Sequence, residues 1–236
     1  MLLLIGLGLY DEKDISLRGL EEAKKCDVLF FERYTNIWFG KKENLERMIG
    51  KRIIEVKRVD LENESEKIIQ LAKNKRVCIL IPGDPLVSTS HFSLIEEAKK
   101  NGIKTKVIHS SSILNAILES GIRITQIGRF ITIPFLKRTN NKLPYSVYSA
   151  IKECKKRNLK TVCFLDIDIE KNEFLSVNEA LKLLLEMENE FKENVISKND
   201  EIVILSKIGS EDQKIEKTTI ENGLKTEYCL PATLII

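Results

Sequence analysis

Residues Val77-Cys78-Ile79-Leu80-Ile81 form an unbroken apolar run that stops abruptly at Pro82-Gly83-Asp84-Pro85. A half-exposed strand would alternate polar and apolar residues. A run with no polar side must be buried on both faces, as the inner strands of a parallel sheet are when helices cover it. Unbroken runs recur at 2–5, 28–31 and 202–205, and mainly apolar strand-like runs lie at 53–56, 106–109, 161–165 and 233–236. Between these runs lie stretches with helical spacing, such as Ile68, Ile69, Leu71 and Ala72, or Phe92, Ile95 and Ala98. The first half reads β-α-β-β-α-β-α-β-α, which predicts a mostly parallel sheet between helices. The expected class is therefore α/β.

At 236 residues the chain can hold one large domain or two modest ones, each with its own core. The pattern resets between Gly121 and Gly128, which places the expected boundary there: an N-terminal α/β domain over 1–122 and a C-terminal one over 123–236. In the second domain the spacing predicts a strand over 130–135 with Pro134 at an edge or bulge. A helix over about 146–157 follows, then a capping box of Ser176 and Glu179 opening the most regular helix of the chain. A weaker helix is expected after Lys207-Ile208-Gly209, before the last strand. In the first domain Asp14 reads as a helix N-cap, with Leu17, Leu20 and Ala23 on the buried side. Ser110-Ser111-Ser112 can cap a helix from Ile113 to about Ser120, and Gly102 reads as a residue just past a helix end.

Charge excludes some functions. The 38 basic residues nearly cancel the 35 acidic ones, leaving +3, so there is no general electrostatic footprint for nucleic acid. The five cysteines, Cys26, Cys78, Cys154, Cys163 and Cys229, have no CxxC spacing and only two histidines accompany them, so no zinc site is read. Several sit within apolar strand-like runs as reduced core residues, which points to a reducing compartment, the cytoplasm. The apolar start, Met1-Leu2-Leu3-Leu4-Ile5, lacks a basic leader region and a small-residue cleavage site. No stretch reaches the roughly 18 apolar residues of a membrane span.

Three apolar strands run straight into loops with unusual backbone requirements: Gly6-Leu7-Gly8-Leu9-Tyr10, Gly83-Asp84-Pro85-Leu86-Val87-Ser88 and Ser110-Ser111-Ser112-Ile113. Strands of one parallel sheet all end on the same edge, so these loops should line one crevice. Leu165-Asp166 and Ile208-Gly209 stand at corresponding strand ends in the second half. The first loop is not the dinucleotide fingerprint, because Asp11 replaces its third glycine. There is no GxxxxGK[ST] either, and no lysine beside the glycines. A pocket of backbone groups with one or two carboxylates suits a neutral or zwitterionic ligand carrying an adenine ring better than a triphosphate.

These loops carry a resemblance. Leu4-Ile5-Gly6-Leu7-Gly8-Leu9 with Asp14-Ile15 and Gly19-Leu20 resembles the opening of the diphthine synthases, S-adenosylmethionine-dependent methyltransferases of the tetrapyrrole-methylase-like class. The likeness continues through Glu32-Arg33-Tyr34-Thr35, Gly83-Asp84-Pro85-Leu86-Val87, Thr89-Ser90-His91, Val107-Ile108-His109 and Ser112-Ile113. It extends through Phe164-Leu165-Asp166-Ile167, Asn178-Glu179-Ala180 and Ile208-Gly209-Ser210, spanning essentially the whole chain.

The resemblance implies two α/β domains with the cofactor, S-adenosylmethionine, in the cleft between them, usually in a homodimer. It implies methylation of the 3-amino-3-carboxypropyl group on a histidine of translation elongation factor 2. The amino nitrogen is methylated repeatedly, and in eukaryotic members the carboxylate as well. Carried over by position, the cofactor contacts are Leu9, Asp84, Val87, Ser112, Ile113, Leu165, Ile208 and Ala232. Many relatives have histidine at the last position. Relatives also run some tens of residues further, so the second domain is expected to be shortened at its C-terminus.

No catalytic residue is named: a sulfonium is already an activated methyl donor, and bulk water can take the proton that the substrate amine must lose; no metal ligand is read either. Asp84 and Asp166 are candidates to hold the cofactor or the substrate ammonium, Asp166 equally as a turn residue at a strand end. His91 and His109 are read as structural. Two alternatives stay open: a cofactor-binding relative without turnover, motivated by Ala232 and the short end, and a tetrapyrrole or RNA methylase of the same class.

Overall fold

The computed structural model describes residues 1–236, which divide into two compact units, Met1–Ala116 and Ile117–Ile236. Residues 117–122 fall on the second side of this division.

The first unit contains β1 (Leu2–Gly6), α1 (Leu17–Lys24), β2 (Val28–Glu32), α2 (Lys42–Ile49), β3 (Ile54–Val56), α3 (Arg58–Glu62), α4 (Glu66–Asn74), β4 (Val77–Ile81), α5 (His91–Lys100), β5 (Thr105–Ile108) and α6 (Ile113–Ala116). Its five strands form one parallel sheet in the order β3-β2-β4-β1-β5. The unbroken apolar runs are explained by what lies on each face. Leu2, Leu4, Val77, Ile79 and Ile81 pack with Ile68, Ile69 and Ala72 of α4 and Leu94, Ile95 and Ala98 of α5. Leu3, Ile5, Cys78 and Leu80 point the other way, against Ala23 of α1 and Leu45 and Ile49 of α2. Neither face of β1 or β4 can therefore carry a polar residue.

Several expectations for this unit are corrected. The N-cap of α1 is Ser16, whose Oγ accepts from Gly19 N at 3.0 Å; Asp14 belongs to a preceding 3₁₀ turn, Glu12–Asp14. Leu17 lies at the first position of α1, 81% exposed, so the buried side is Gly19 and Ala23. Phe92 is likewise 57% exposed, and α5 buries His91, Leu94, Ile95 and Ala98. The expected faces hold at Ala23, Ile95 and Ala98, with Leu20 packed against the core, and fail only at the helix starts, Leu17 and Phe92. Helix α2 escaped the sequence reading because charged residues dominate it. Gly102, at φ 70, does follow the end of α5.

The second unit contains a 3₁₀ turn (Ile117–Ser120), β6 (Ile127–Ile133), α7 (Tyr145–Lys156), β7 (Lys160–Leu165), the short ribbon β8 (Ile167–Asp168) and β9 (Glu173–Phe174), α8 (Val177–Phe191), β10 (Glu201–Ser206), β11 (Lys214–Thr219), α9 (Ile220–Gly223) and β12 (Ala232–Ile235). Its main sheet is mixed, ordered β11-β10-β12-β7-β6, with only β6 and β7 parallel. The expected helix from Ile113 to Ser120 is an α turn in the first unit followed by this 3₁₀ turn in the second. The strand expected over 130–135 begins at Ile127, with an irregularity between Ile127 and Arg129, and lies at the sheet edge with Pro134 just beyond it. The weaker helix expected between Gly209 and the last strand is the single turn α9, and the edge strand β11, which was not expected, precedes it. The β11 sequence, Lys-Ile-Glu-Lys-Thr-Thr, is half solvated and charged, as exposed edges often are, and this erases the apolar period.

The Ser176–Glu179 capping box forms in full: Ser176 Oγ accepts from Glu179 N at 3.2 Å and Glu179 Oε2 accepts from Ser176 N at 2.8 Å. Behind it Val177, Ala180, Leu181 and Leu184 enter the core of this unit. Ser176→Ala should lower stability by about 1 kcal/mol in urea titration with an unchanged slope; no loss would show that the cap contributes nothing to the folded state.

Candidate functional site

In the first unit β4, β1 and β5 are neighbours, so the loops after all three emerge side by side at the carboxyl edge of the sheet. Gly8 and Gly83 join the first two loops through an antiparallel bridge: Gly83 N donates to Gly8 O at 2.8 Å, and Gly8 N to Gly83 O at 3.2 Å. The glycines of the first loop are required by this contact. A Cβ on Gly6 would lie 2.6 Å from Gly83 O and 2.7 Å from Ser110 Cβ, and Gly8 has φ 84 with Asp14 Cβ 2.3 Å from where its own Cβ would be. Asp14 then closes the loop from below, its Oδ2 accepting from Tyr10 N at 2.7 Å.

Asp84 connects the second loop to the third. Its Oδ1 accepts from Leu86 N at 3.0 Å, turning its own loop. Its Oδ2 accepts from His109 Nδ1 at 2.8 Å and from Ser110 N at 3.2 Å. The carboxylate is nearly buried, with 8% of the side chain exposed, and those three donors replace its water. Just beyond, Ser88 stands at φ 55, a conformation uncommon for a residue with a side chain. Leu9, Asp84, Val87, Ser112 and Ile113, all expected at a site, are thus brought to one edge. Ser112 opens α6, its carbonyl accepting from Asn115 N and Ala116 N and its own N–H donating to Asn115 Oδ1.

Glu32 and His91 fix the flank. Glu32, at the end of β2, is fully buried; its Oε1 accepts from Tyr34 N at 2.6 Å and Thr35 N at 2.7 Å, and its Oε2 from Thr35 Oγ1 at 2.7 Å. Burial pushes its carboxyl up, against the pull of those donors. His91 Nδ1 donates to Pro85 O at 3.3 Å, and its Nε2 lies 3.7 Å from Glu32 Oε2 without a hydrogen bond. Burial is the main influence on the ring as well, bringing its pKa down to about 4. A neutral, buried histidine that holds a loop carbonyl is structural.

In the second unit Leu165 ends β7, Ile208 follows β10 and Ala232 begins β12. Phe164 pairs with Thr233, and Ser206 with Ala232, so these three expected positions also share one sheet edge. Asp166 is resolved as a strand-end tie: its Oδ2 accepts from Phe135 N at 3.0 Å and lies 3.2 Å from Arg138 Nε. Sequence reasoning missed the coupling of Asp84 to His109 and Ser110, and the buried role of Glu32. Both acceptors stand directly at or beyond a strand end, which was the available signal.

The three loops of the first unit hold no lysine or arginine. Their donors are backbone N–H groups and the hydroxyls of Ser88, Thr89, Ser110, Ser111 and Ser112, and the space beside Gly83 is open, since a Cβ there would meet nothing within 4 Å. This donor set fits the adenosine and amino-acid parts of S-adenosylmethionine and offers nothing to neutralise a polyphosphate.

The His91 assignment has a pH signature. The unfolded chain takes up the His91 proton near 6.5 and the folded chain only near 4, so this contribution to stability is complete above 6.5 and is lost as pH falls to about 4. That displacement is worth up to roughly 3 kcal/mol. Glu32, raised by burial, acts in the opposite sense, its contribution declining as pH rises. His91→Gln should therefore reduce the loss of stability between pH 6.5 and 4 relative to the wild type in urea titrations; parallel curves would show that folding does not lower the pKa of His91.

Comparison with known proteins agrees with this geometry. Residues 1–222 match the sequence profile of the tetrapyrrole (corrin/porphyrin) methylases. The chain is 38% identical to a diphthine synthase of Methanocaldococcus jannaschii, over all of this chain and 92% of that one. It is 36% identical to a diphthine methyl ester synthase of Schizosaccharomyces pombe, over 94% of this chain and 83% of that one. A solved diphthine synthase structure superposes with a TM-score of 0.88 at 30% identity, covering 100% of this chain and 88% of the other. The chain belongs to the tetrapyrrole (corrin/porphyrin) methylase family, among its diphthine synthases.

Proposed function

We propose that this chain is an S-adenosylmethionine-dependent methyltransferase that methylates the 3-amino-3-carboxypropyl-histidine of translation elongation factor 2. The observation that carries this reading is the joining of three loops, two of them through Asp84 and the third through the Gly8–Gly83 bridge, with no lysine or arginine among them, in a chain matching diphthine synthases over its whole length. Leu9, Asp84, Val87, Ser112 and Ile113 in the first unit, and Leu165, Ile208 and Ala232 in the second, are the proposed cofactor contacts. Asp84 acts by holding the loops in shape, because its oxygens are already engaged by protein donors. The reaction needs no covalent enzyme intermediate. Its main demand is alignment of nitrogen, methyl and sulfur, and proximity of that kind can lower a barrier by about 7–11 kcal/mol.

The cytoplasm is the proposed location, because the proposed substrate is a translation factor and all five cysteines are free. A homodimer is the proposed assembly, by likeness to the family. Neither a nucleic acid nor a membrane is part of the proposal. The methyl ester synthase of S. pombe supports a second target on the same group, its carboxylate.

Methyl transfer from labelled S-adenosylmethionine to elongation factor 2 tests the reaction. Label on the form carrying the aminocarboxypropyl histidine, and none on the form with plain histidine, is the expected result, and mass increments count the methyls. No label on either, in protein that binds the cofactor, would leave a binding relative without turnover. Asp84→Asn should weaken cofactor binding at least about tenfold by calorimetry, about 1.4 kcal/mol; unchanged affinity would remove the loop clamp from the site.

A further inference from the structure

Transfer to an amine requires something that alignment does not provide. The amino group of the substrate is an ammonium at neutral pH and has no lone pair until it gives up a proton. Each further N-methylation leaves another ammonium, so one proton must depart for every methyl added.

His109 follows β5 directly, and its ring is held by one nitrogen. Nδ1 donates to Asp84 Oδ2 at 2.8 Å, while the side chain as a whole is 69% exposed. A carboxylate can only accept, so the hydrogen is on Nδ1, and the lone pair of neutral imidazole is left on Nε2. Nε2 has no hydrogen-bond partner in the protein. Asp84 is the charged group bonded to this ring; Asp14, the other acid packed on the loop, has Oδ2 engaged by Tyr10 N and its carbonyl by Ser110 Oγ. An oriented imidazole with a buried carboxylate behind it and a free nitrogen in front is the arrangement a general base needs. His91 has the reverse arrangement, with both nitrogens inside the protein.

We propose that His109 Nε2 is the proton acceptor for the substrate ammonium, with Asp84 as its positioning partner. The inference rests on the methyltransferase reading above. The ammonium proton passes to Nε2, and the resulting imidazolium keeps its Nδ1–H on Asp84, whose negative charge offsets the new positive one. When bound, S-adenosylmethionine supplies the activated methyl, so that the nitrogen lone pair forms the N–C bond as the C–S bond breaks and the thioether leaves. His109 then releases its proton to water and is ready for the next ammonium. Esterification of the carboxylate displaces no proton and does not need this group.

Two measurements on the full chain test the proposal. Nitrogen-15 NMR of the imidazoles, with no cofactor present, should show His109 as the Nδ1–H tautomer in the wild type and as a mixture in Asp84→Asn. A wild-type ring already mixed would overturn the dyad. The second is the pH profile of kcat/KM for the first methyl transfer, run with calorimetric affinity for S-adenosylmethionine. The wild-type profile should rise to a plateau. His109→Gln should fall at least about a hundredfold at pH 7 and then rise tenfold per pH unit as free amine accumulates, with cofactor affinity within about twofold of wild type. A lowered profile of unchanged shape, or a loss matched by lost cofactor affinity, would make His109 structural and overturn the assignment. No transfer by the wild type would instead refute the substrate reading, and the proton acceptor with it.

Discussion

The candidate site depends on the Asp84 carboxylate. It accepts from Leu86 N, His109 Nδ1 and Ser110 N, and so connects the loop after β4 to the loop after β5. The Gly8–Gly83 bridge connects that same loop to the one after β1. Three segments far apart in the chain become one surface by few contacts, and most of those contacts involve backbone. That has a cost in side-chain freedom: Gly6 and Gly8 cannot carry a Cβ. The sheet beneath, buried on both faces, supplies the rigid base on which such a loop cluster can be held to sub-ångström tolerance.

The chemistry follows from what these loops lack as much as from what they contain. With no cation among them, they suit a ligand that carries its own positive charge on sulfur and a zwitterionic tail. The amine substrate poses the opposite difficulty, a proton that must be removed. Asp84 serves both needs, shaping the loops with one set of hydrogen bonds and orienting an imidazole with another.

Much of this was legible from sequence, for identifiable reasons. Double-sided burial writes itself as an unbroken apolar run, so β1, β2 and β4 could be read directly, and their loops with them. The capping box at Ser176 was legible because both its bonds are local. Long-range pairing leaves no such trace. Asp14 has the residue type and position of an N-cap, yet its carboxylate is engaged by Tyr10 N, while Ser16 caps α1. His109 read as an ordinary structural histidine because its partner lies 25 residues away in sequence. Edge strand β11 left no apolar period in the sequence because it has one neighbour and no dry face. What sequence reported least well was which side chain meets which, and this is where the chemistry of the site resides.

Amide hydrogen exchange with and without S-adenosylmethionine tests the central claim most directly, because it asks whether these loops are the cofactor surface before any question of substrate arises. Slower exchange concentrated at residues 83–88 and 110–113, with the core of β1 and β4 unchanged, is the result the account predicts. Cofactor protection that spared both segments would contradict it.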